Sequence, residues 1–154
     1  MVQRSRQRPR VGDAEKRVDE SSLFEAQVAD ADERAGESAA VPLPAEEVFS
    51  VLRNGRRRAV LSYLARRPKG VASVNDLSRA VTAAEHDIPA GHVTERQRKC
   101  VYVSLLQVHL PALVEANVVS WNESAGTVRG ERSVGALAAV TDLLDRACDA
   151  DAER

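Results

Sequence analysis

Residues 94–119 read TERQRKCVYVSLLQVHLPALVEANVV. The opening Thr94-Glu95-Arg96-Gln97 matches a capping box: a hydroxyl at the helix start accepts from an N–H three residues on, whose own side chain reaches back. A helix is therefore expected from Thr94. Val103, Leu106, Leu110 and Leu113 follow at spacings of three, four and three, the period of one buried stripe. Pro111 lies inside that run with no N–H to give the Gln107 carbonyl, so a kink or break is expected near His109. With the stripe turned inward, the opposite side carries Gln97, Cys100, Ser104 and Gln107, and Arg96, Arg98 and Lys99 crowd the amino end. The segment reads as a rod that is apolar inside and cationic and amide-bearing outside.

Downstream, Val118 to Trp121 alternates as a strand, Asn122 to Gly126 turns, and Thr127 to Arg129 can return beside it. Ser133 opens a last helix in which Leu137, Val140, Leu144 and Ala147 repeat at helical spacing. Upstream, Ser73 precedes Val74-Asn75-Asp76 as a helix cap, and that helix runs to about Glu85 with Leu77, Ala80 and Val81 inward. Val71-Ala72 fits a very short strand. Arg56 to Arg67 forms a helix that stops before Pro68, and Glu46 to Arg53 forms another, the two separated by Asn54-Gly55. The order is helix, helix, short strand, helix, helix, β-hairpin, helix. That is a mainly α chain on the α+β plan of a winged helix: two helices joined by a turn, then a hairpin wing. The boundaries follow as a disordered tail over residues 1–43, the winged helix-turn-helix domain over 44–132, and a C-terminal helix over 133–154 with a frayed acidic end.

Composition agrees. The chain is 44% apolar but only 3% aromatic, so its core must be built from Val, Leu and Ala. Net charge is −1, unevenly spread: residues 1–10 carry four arginines, 11–47 carry a net −8, 48–132 a net +6, and 133–154 a net −3. A basic folded segment between acidic flanks is the pattern a nucleic-acid footprint leaves. Residues 1–40 have too little apolar surface to offset the entropy of ordering. Cys100 and Cys148 form neither a disulfide framework nor a zinc site. No apolar run is long enough for a membrane span or a secretory signal. A soluble cytoplasmic protein is expected.

Catalysis finds no residues to carry it. His86, His92 and His109 belong to no metal-binding spacing, and no glycine-rich phosphate loop or nucleophile motif is present. No catalytic residue, metal, cofactor or small-molecule ligand is expected.

The stretch Val103 to Val119 resembles the recognition helix and wing of ArsR-type transcriptional regulators, with His109-Leu110, Leu113, Ala116-Asn117 and two apolar residues following; Asn117 stands where that pattern has Gly. More closely, Leu43 to Gly130 resembles an uncharacterised winged-helix domain of halophilic archaea. The shared residues are Val48 to Asn54 with Arg56-Arg57-Arg58, Thr94 to Lys99, Val101 to Leu105, and His109-Leu110-Pro111. The resemblance implies a DNA-binding regulator. Metal sensing is not implied, because the Cys-x-Cys pair of ArsR sensors is missing, and the connection from Thr82 to Val93 is longer than the usual turn.

On this reading the contacts to double-stranded DNA come from Arg96, Gln97, Arg98, Lys99, Ser104 and Gln107 on the rod. Arg56, Arg57 and Arg58 stand at a helix start, and Arg129 and Arg132 at the wing. Arg57 or Arg58 can instead pair with Glu46 or Glu47 at the surface. The last helix, with Ala136, Ala139 and Ala147 allowing close approach, suits a homodimer seam or can fold back on its own domain. The competing function is a protein-interaction adaptor that uses the same scaffold without DNA.

Overall fold

A computed structural model describes residues 40–152. The tail expected over residues 1–43 lies outside the described residues up to residue 39. From Val41 onward the chain forms one unit. Its elements are α1 (Ala45–Leu52), α2 (Gly55–Ala65), β1 (Val71–Ser73), α3 (Val74–His86), a 3-10 turn (Ala90–His92), α4 (Glu95–Ser104), a π-helical segment (Leu105–His109), α5 (Leu110–Glu115), β2 (Val119–Asn122), β3 (Thr127–Gly130) and α6 (Val134–Ala152). The domain is thus mainly helical with one small antiparallel sheet.

Side chains close three helix starts, at Ser73 and Thr94 as expected and at Asn54, which the sequence marked only as a break. Asn54 Oδ1 accepts from the Arg56 and Arg57 amides at 3.0 and 3.3 Å. Ser73 Oγ accepts from Asp76 at 3.0 Å. At α4 the capping box is complete: the Gln97 amide donates to Thr94 Oγ1 at 3.3 Å and the Thr94 amide to Gln97 Oε1 at 3.1 Å. Each pairing satisfies an amide that has no intrahelical partner. Asn117 ends α5 at φ 57°. Its N–H donates to Val114 O and that of Val118 to Leu113 O, the crossed pair of a Schellman cap, in a left-handed conformation that Asn tolerates better than most residues.

The three strands lie in the order β1-β3-β2. Ala72, Val128 and Trp121 are aligned across the sheet, with Val128 fully buried, while Arg129 aligns with Val71 and Ser120. Alternation along β3 therefore puts Val128 inward and Arg129 outward. A side chain at Gly130 would place its Cβ 3.0 Å from Val134 Cγ2, so this glycine lets the sheet pass directly into α6.

The core is aliphatic, as the composition requires. Leu61 and Leu64 of α2, Leu77 and Val81 of α3, Leu105, Leu110 and Leu113 of the rod, and Leu137 of α6 join with Val128 beneath the sheet. α2 is central and packs on both α3 and α6. α6 folds back on the domain through its first two turns. From Asp142 to Ala150 every residue is exposed, including Leu143 and Leu144.

One expectation is corrected. The buried stripe of the rod does not run through Val103 and Leu106. Val101 and Leu105 are buried, whereas Val103 is 41% exposed and Leu106 half-buried. The cause is the expected disturbance at Pro111, which takes the form of a π turn: the Leu110 amide donates to Leu105 O, five residues back. In an uninterrupted α-helix Leu110 would be rotated about 140° from Leu105. The wide turn brings Leu110 round to the same side, and the inward line becomes Val101, Leu105, Leu110 and Leu113.

The two phases differ in a measurable way. Leu105→Ala should cost about 2–5 kcal/mol of unfolding free energy by denaturant titration, and Val103→Ala no more than about 0.5 kcal/mol. The reverse ranking would restore the uninterrupted stripe.

Candidate nucleic-acid interface

The residues expected to contact DNA divide into two sets. The first is turned into the protein. Arg56 donates to the Glu85 carboxylate from Nη2 at 3.0 Å and from Nε at 3.2 Å, and its Nη1 reaches Ser104 Oγ at 2.8 Å. One guanidinium thus ties α2 to α3 and α4, and occupies Ser104 as it does so. Arg57 donates to Ser50 O at 3.0 Å and Arg58 to Leu52 O at 2.6 Å. These carbonyls belong to the last turn of α1, where helix geometry leaves oxygens without partners and the macrodipole favours a cation. The arginine triplet, read from the sequence as able to clamp phosphate, is instead held half-buried as a staple between helices. Surface pairing of Arg57 or Arg58 with Glu46 or Glu47 is not seen among the described residues, where Arg56–Glu85, Arg79–Glu95 and Arg98–Glu95 do pair.

Arg98 is held still more firmly. It forms a fork to Glu95, with Nε and Nη2 at 3.1 and 3.0 Å from Oε2. Its Nη1 donates to Asn75 Oδ1 at 3.0 Å and Ser78 Oγ at 3.3 Å, and the guanidinium lies 5.5 Å from the centre of the Tyr102 ring. It therefore pins α4 to the start of α3. The hydrogen bond from Arg98, ahead of its charge, holds the Glu95 carboxyl below the usual carboxylate range. Gln97 is engaged in its capping box.

The second set faces solvent. Arg96, Lys99, Cys100 and Val103 fall at i, i+3, i+4 and i+7 and are all exposed, as is Gln107 within the π turn. Arg129 stands on the outward side of the central strand and Arg132 is exposed just after it. The outer side of the rod is thus open to solvent and carries Arg96, Lys99 and Gln107. Val103 on that face, and Val108 at 53% exposure, were not singled out from sequence because the uninterrupted stripe assigned Val103 to the core. Asn75, Ser78 and Glu85, the partners that immobilise Arg98 and Arg56, are separated from them by 20 to 29 residues and left no local signal.

His109 ends the π turn, 6% exposed, with Nδ1 lacking any hydrogen-bond partner. Burial is the first cause that pushes its pKa below the ordinary value of 6.5. The charges of Arg57 and Arg56 add to it, and Glu85 opposes. Its surroundings thus disfavour the protonated ring. Among the described residues no three His, Cys, Asp or Glu side chains gather as a metal site, and no helix is long and apolar enough to cross a membrane. Cys100 and Cys148 are free, exposed thiols.

These features define a mainly helical α+β domain whose helical rod has an inner side locked by hydrogen bonds and an open outer side. The chain belongs to the family described as a domain of unknown function, DUF7344, whose model matches residues 49–129. That match runs from the second half of α1 to Arg129 in β3, and so includes the arginine staple and the whole rod. No curated protein and no solved structure matches the chain significantly.

The depressed His109 pKa carries a sign. Below 6.5 the unfolded chain binds the proton that the folded chain resists, so stability is complete above that pH and declines as pH falls beneath it. His109→Gln should flatten the melting temperature against pH just under 6.5, a window well above the range where carboxylates titrate. An unchanged acid slope would mean that this ring is not the group responsible.

Proposed function

We propose that this domain binds double-stranded DNA as a small winged helix-turn-helix regulator. α3 and the rod form the helix-turn-helix pair, and the β2–β3 hairpin is the wing. The observation that carries the reading is the solvent-open outer face of α4, where Arg96 and Lys99 lie on one side with Gln107 following. Helix-turn-helix proteins present the amino end of their second helix to base edges and phosphates. Arginine and lysine there supply salt-dependent affinity, and an amide side chain suits adenine. Arg98, Gln97, Ser104 and the Arg56–Arg58 staple serve this reading indirectly, by holding the rod at a fixed angle to α2 and α3. Arg129 adds a cation on the outward face of the proposed wing.

α6 supplies the second half of the reading. Leu143 and Leu144 are 61% and 43% exposed beyond the last turn that contacts the core. They continue the Val140 line of that helix, so a second copy docked there would bury them and present two reading helices to a two-fold site.

A protein-interaction adaptor remains the second reading. Val103 and Val108, exposed on the same rod, favour it, because an apolar outer face suits a protein partner better than a phosphate backbone.

The experiment is a mobility shift on random duplex DNA at two salt concentrations. Arg96→Ala with Lys99→Ala should weaken binding and reduce the slope of log affinity against log salt by about 1.8 per protomer, near 0.9 for each lost phosphate contact. Arg98→Ala should instead lower thermal stability. Equal affinity in the Arg96/Lys99 variant would overturn the proposed reading face, and one stoichiometric protein partner with no shift at low salt would favour the adaptor. For the dimer, sedimentation equilibrium should show two copies in the native chain and one in Leu143→Lys with Leu144→Lys. A monomeric native chain would refute it.

A further inference from the structure

A groove of about 640 Å³ lies among α2, α3 and α6, within the size range of small-molecule sites. It runs along one face of α2, where Gly55, Ala59, Ser62 and Arg66 line it at i, i+4, i+7 and i+11, a length of about 16 Å. α3 contributes the small side chains Ala80 and Ala84 beside Val81, and α6 contributes Thr141, Asp142 and Asp145. His109 reaches this groove from the π turn.

Two independent features distinguish it from an ordinary crease between helices. First, a nine-tenths buried imidazole lines it, its Nδ1 enclosed and without a hydrogen-bond partner, a costly state for a buried polar atom. Second, apart from one ion pair its charges are unpaired. Arg56 and Glu85 satisfy one another at 3.0 Å. Arg66, Asp142 and Asp145 have no ion pair among the described residues, although all line the same groove, and Arg58 is bonded only to a backbone oxygen. Cations on α2 and carboxylates on α6 therefore flank a floor of alanine and valine.

We propose that this groove binds a small amphoteric molecule, one carrying a carboxylate at one end and an ammonium group at the other, of the ω-amino acid type or a diamino acid such as lysine. The carboxylate would be held by Arg66, just past the end of α2, with the remaining N–H groups of Arg58, the ammonium group by Asp142 and Asp145, and the methylene body by the alanine floor. A purely anionic ligand would meet the two aspartates, and a purely cationic one the arginines, so only a molecule bearing both charges satisfies both walls. Because His109 closes the π turn, occupation of the groove also touches the segment that sets the phase of the rod. The binding itself does not depend on the DNA reading.

The test uses the full chain labelled with nitrogen-15 and titrated with L-lysine and 6-aminohexanoate as probes, with hexanoate and hexylammonium as single-charge controls. Saturable amide shifts are expected for Leu105 to Leu110 and for Asp142 to Asp145 with the amphoteric probes, and not with either control. Asp142→Asn with Asp145→Asn, both exposed and outside the core, should weaken that binding about tenfold, the worth of roughly one charge-assisted hydrogen bond. The proposal fails if no probe gives a saturable shift, if hexanoate binds as well as 6-aminohexanoate, or if the double asparagine variant binds unchanged.

Discussion

Proline at position 111 cannot close a hydrogen bond onto the turn behind it, and the geometry of the whole rod depends on that missing donor. The chain accommodates it by widening one turn, so that the Leu110 amide bonds to Leu105 O across five residues. The consequence reaches well beyond the local backbone. The wide turn places Val101, Leu105, Leu110 and Leu113 on one line facing α2 and α3, turns Val103 out to solvent, and draws His109 into the interior. A straight helix with the same residues would bury a different set and leave Leu105, which is fully enclosed here, on another side.

The arginines show why residue type alone does not locate a binding surface. Arg56, Arg57, Arg58 and Arg98 are chemically the same as Arg96, and a charge count treats them alike. What separates them is whether a carbonyl or carboxylate lies within reach once the helices have packed. The end of α1 presents unpaired oxygens to Arg57 and Arg58, and Glu85 and Ser104 stand on either side of Arg56. Arg98 finds Glu95 one turn back and Asn75 across the helix boundary. A planar fork with five donors is well matched to such shared positions. Arg96 and Lys99, on the opposite side of the same helix, have none of these acceptors beside them. The four arginines that are held orient the rod, and the reading proposed for it relies on the two cations that are left outward.

His109 connects these observations. It belongs to the rod by sequence and to the space between α2, α3 and α6 by position, where burial first, and the charges of Arg57 and Arg56 after it, lower its pKa. The π turn therefore has solvent-facing residues on one side and a lined groove on the other.

Read alone, the sequence determined the elements and most of their boundaries, because these rest on local chemistry: a hydroxyl or amide three residues ahead of an amide, a proline that ends a helix, alternation that makes a strand, an asparagine able to take a left-handed turn. It also located the disturbance near His109, for the same local reason. It did not determine which face of the rod points inward, because a π turn and a simple kink follow from the same proline and differ only in how the helix beyond it packs. Nor did it separate the engaged arginines from the open ones, since their partners, Glu95 apart, stand 6 to 48 residues away and come together only when α1, α2, α3 and α4 meet. Those assignments belonged to the tertiary structure, which alone decides which acceptors a long flexible cation can reach.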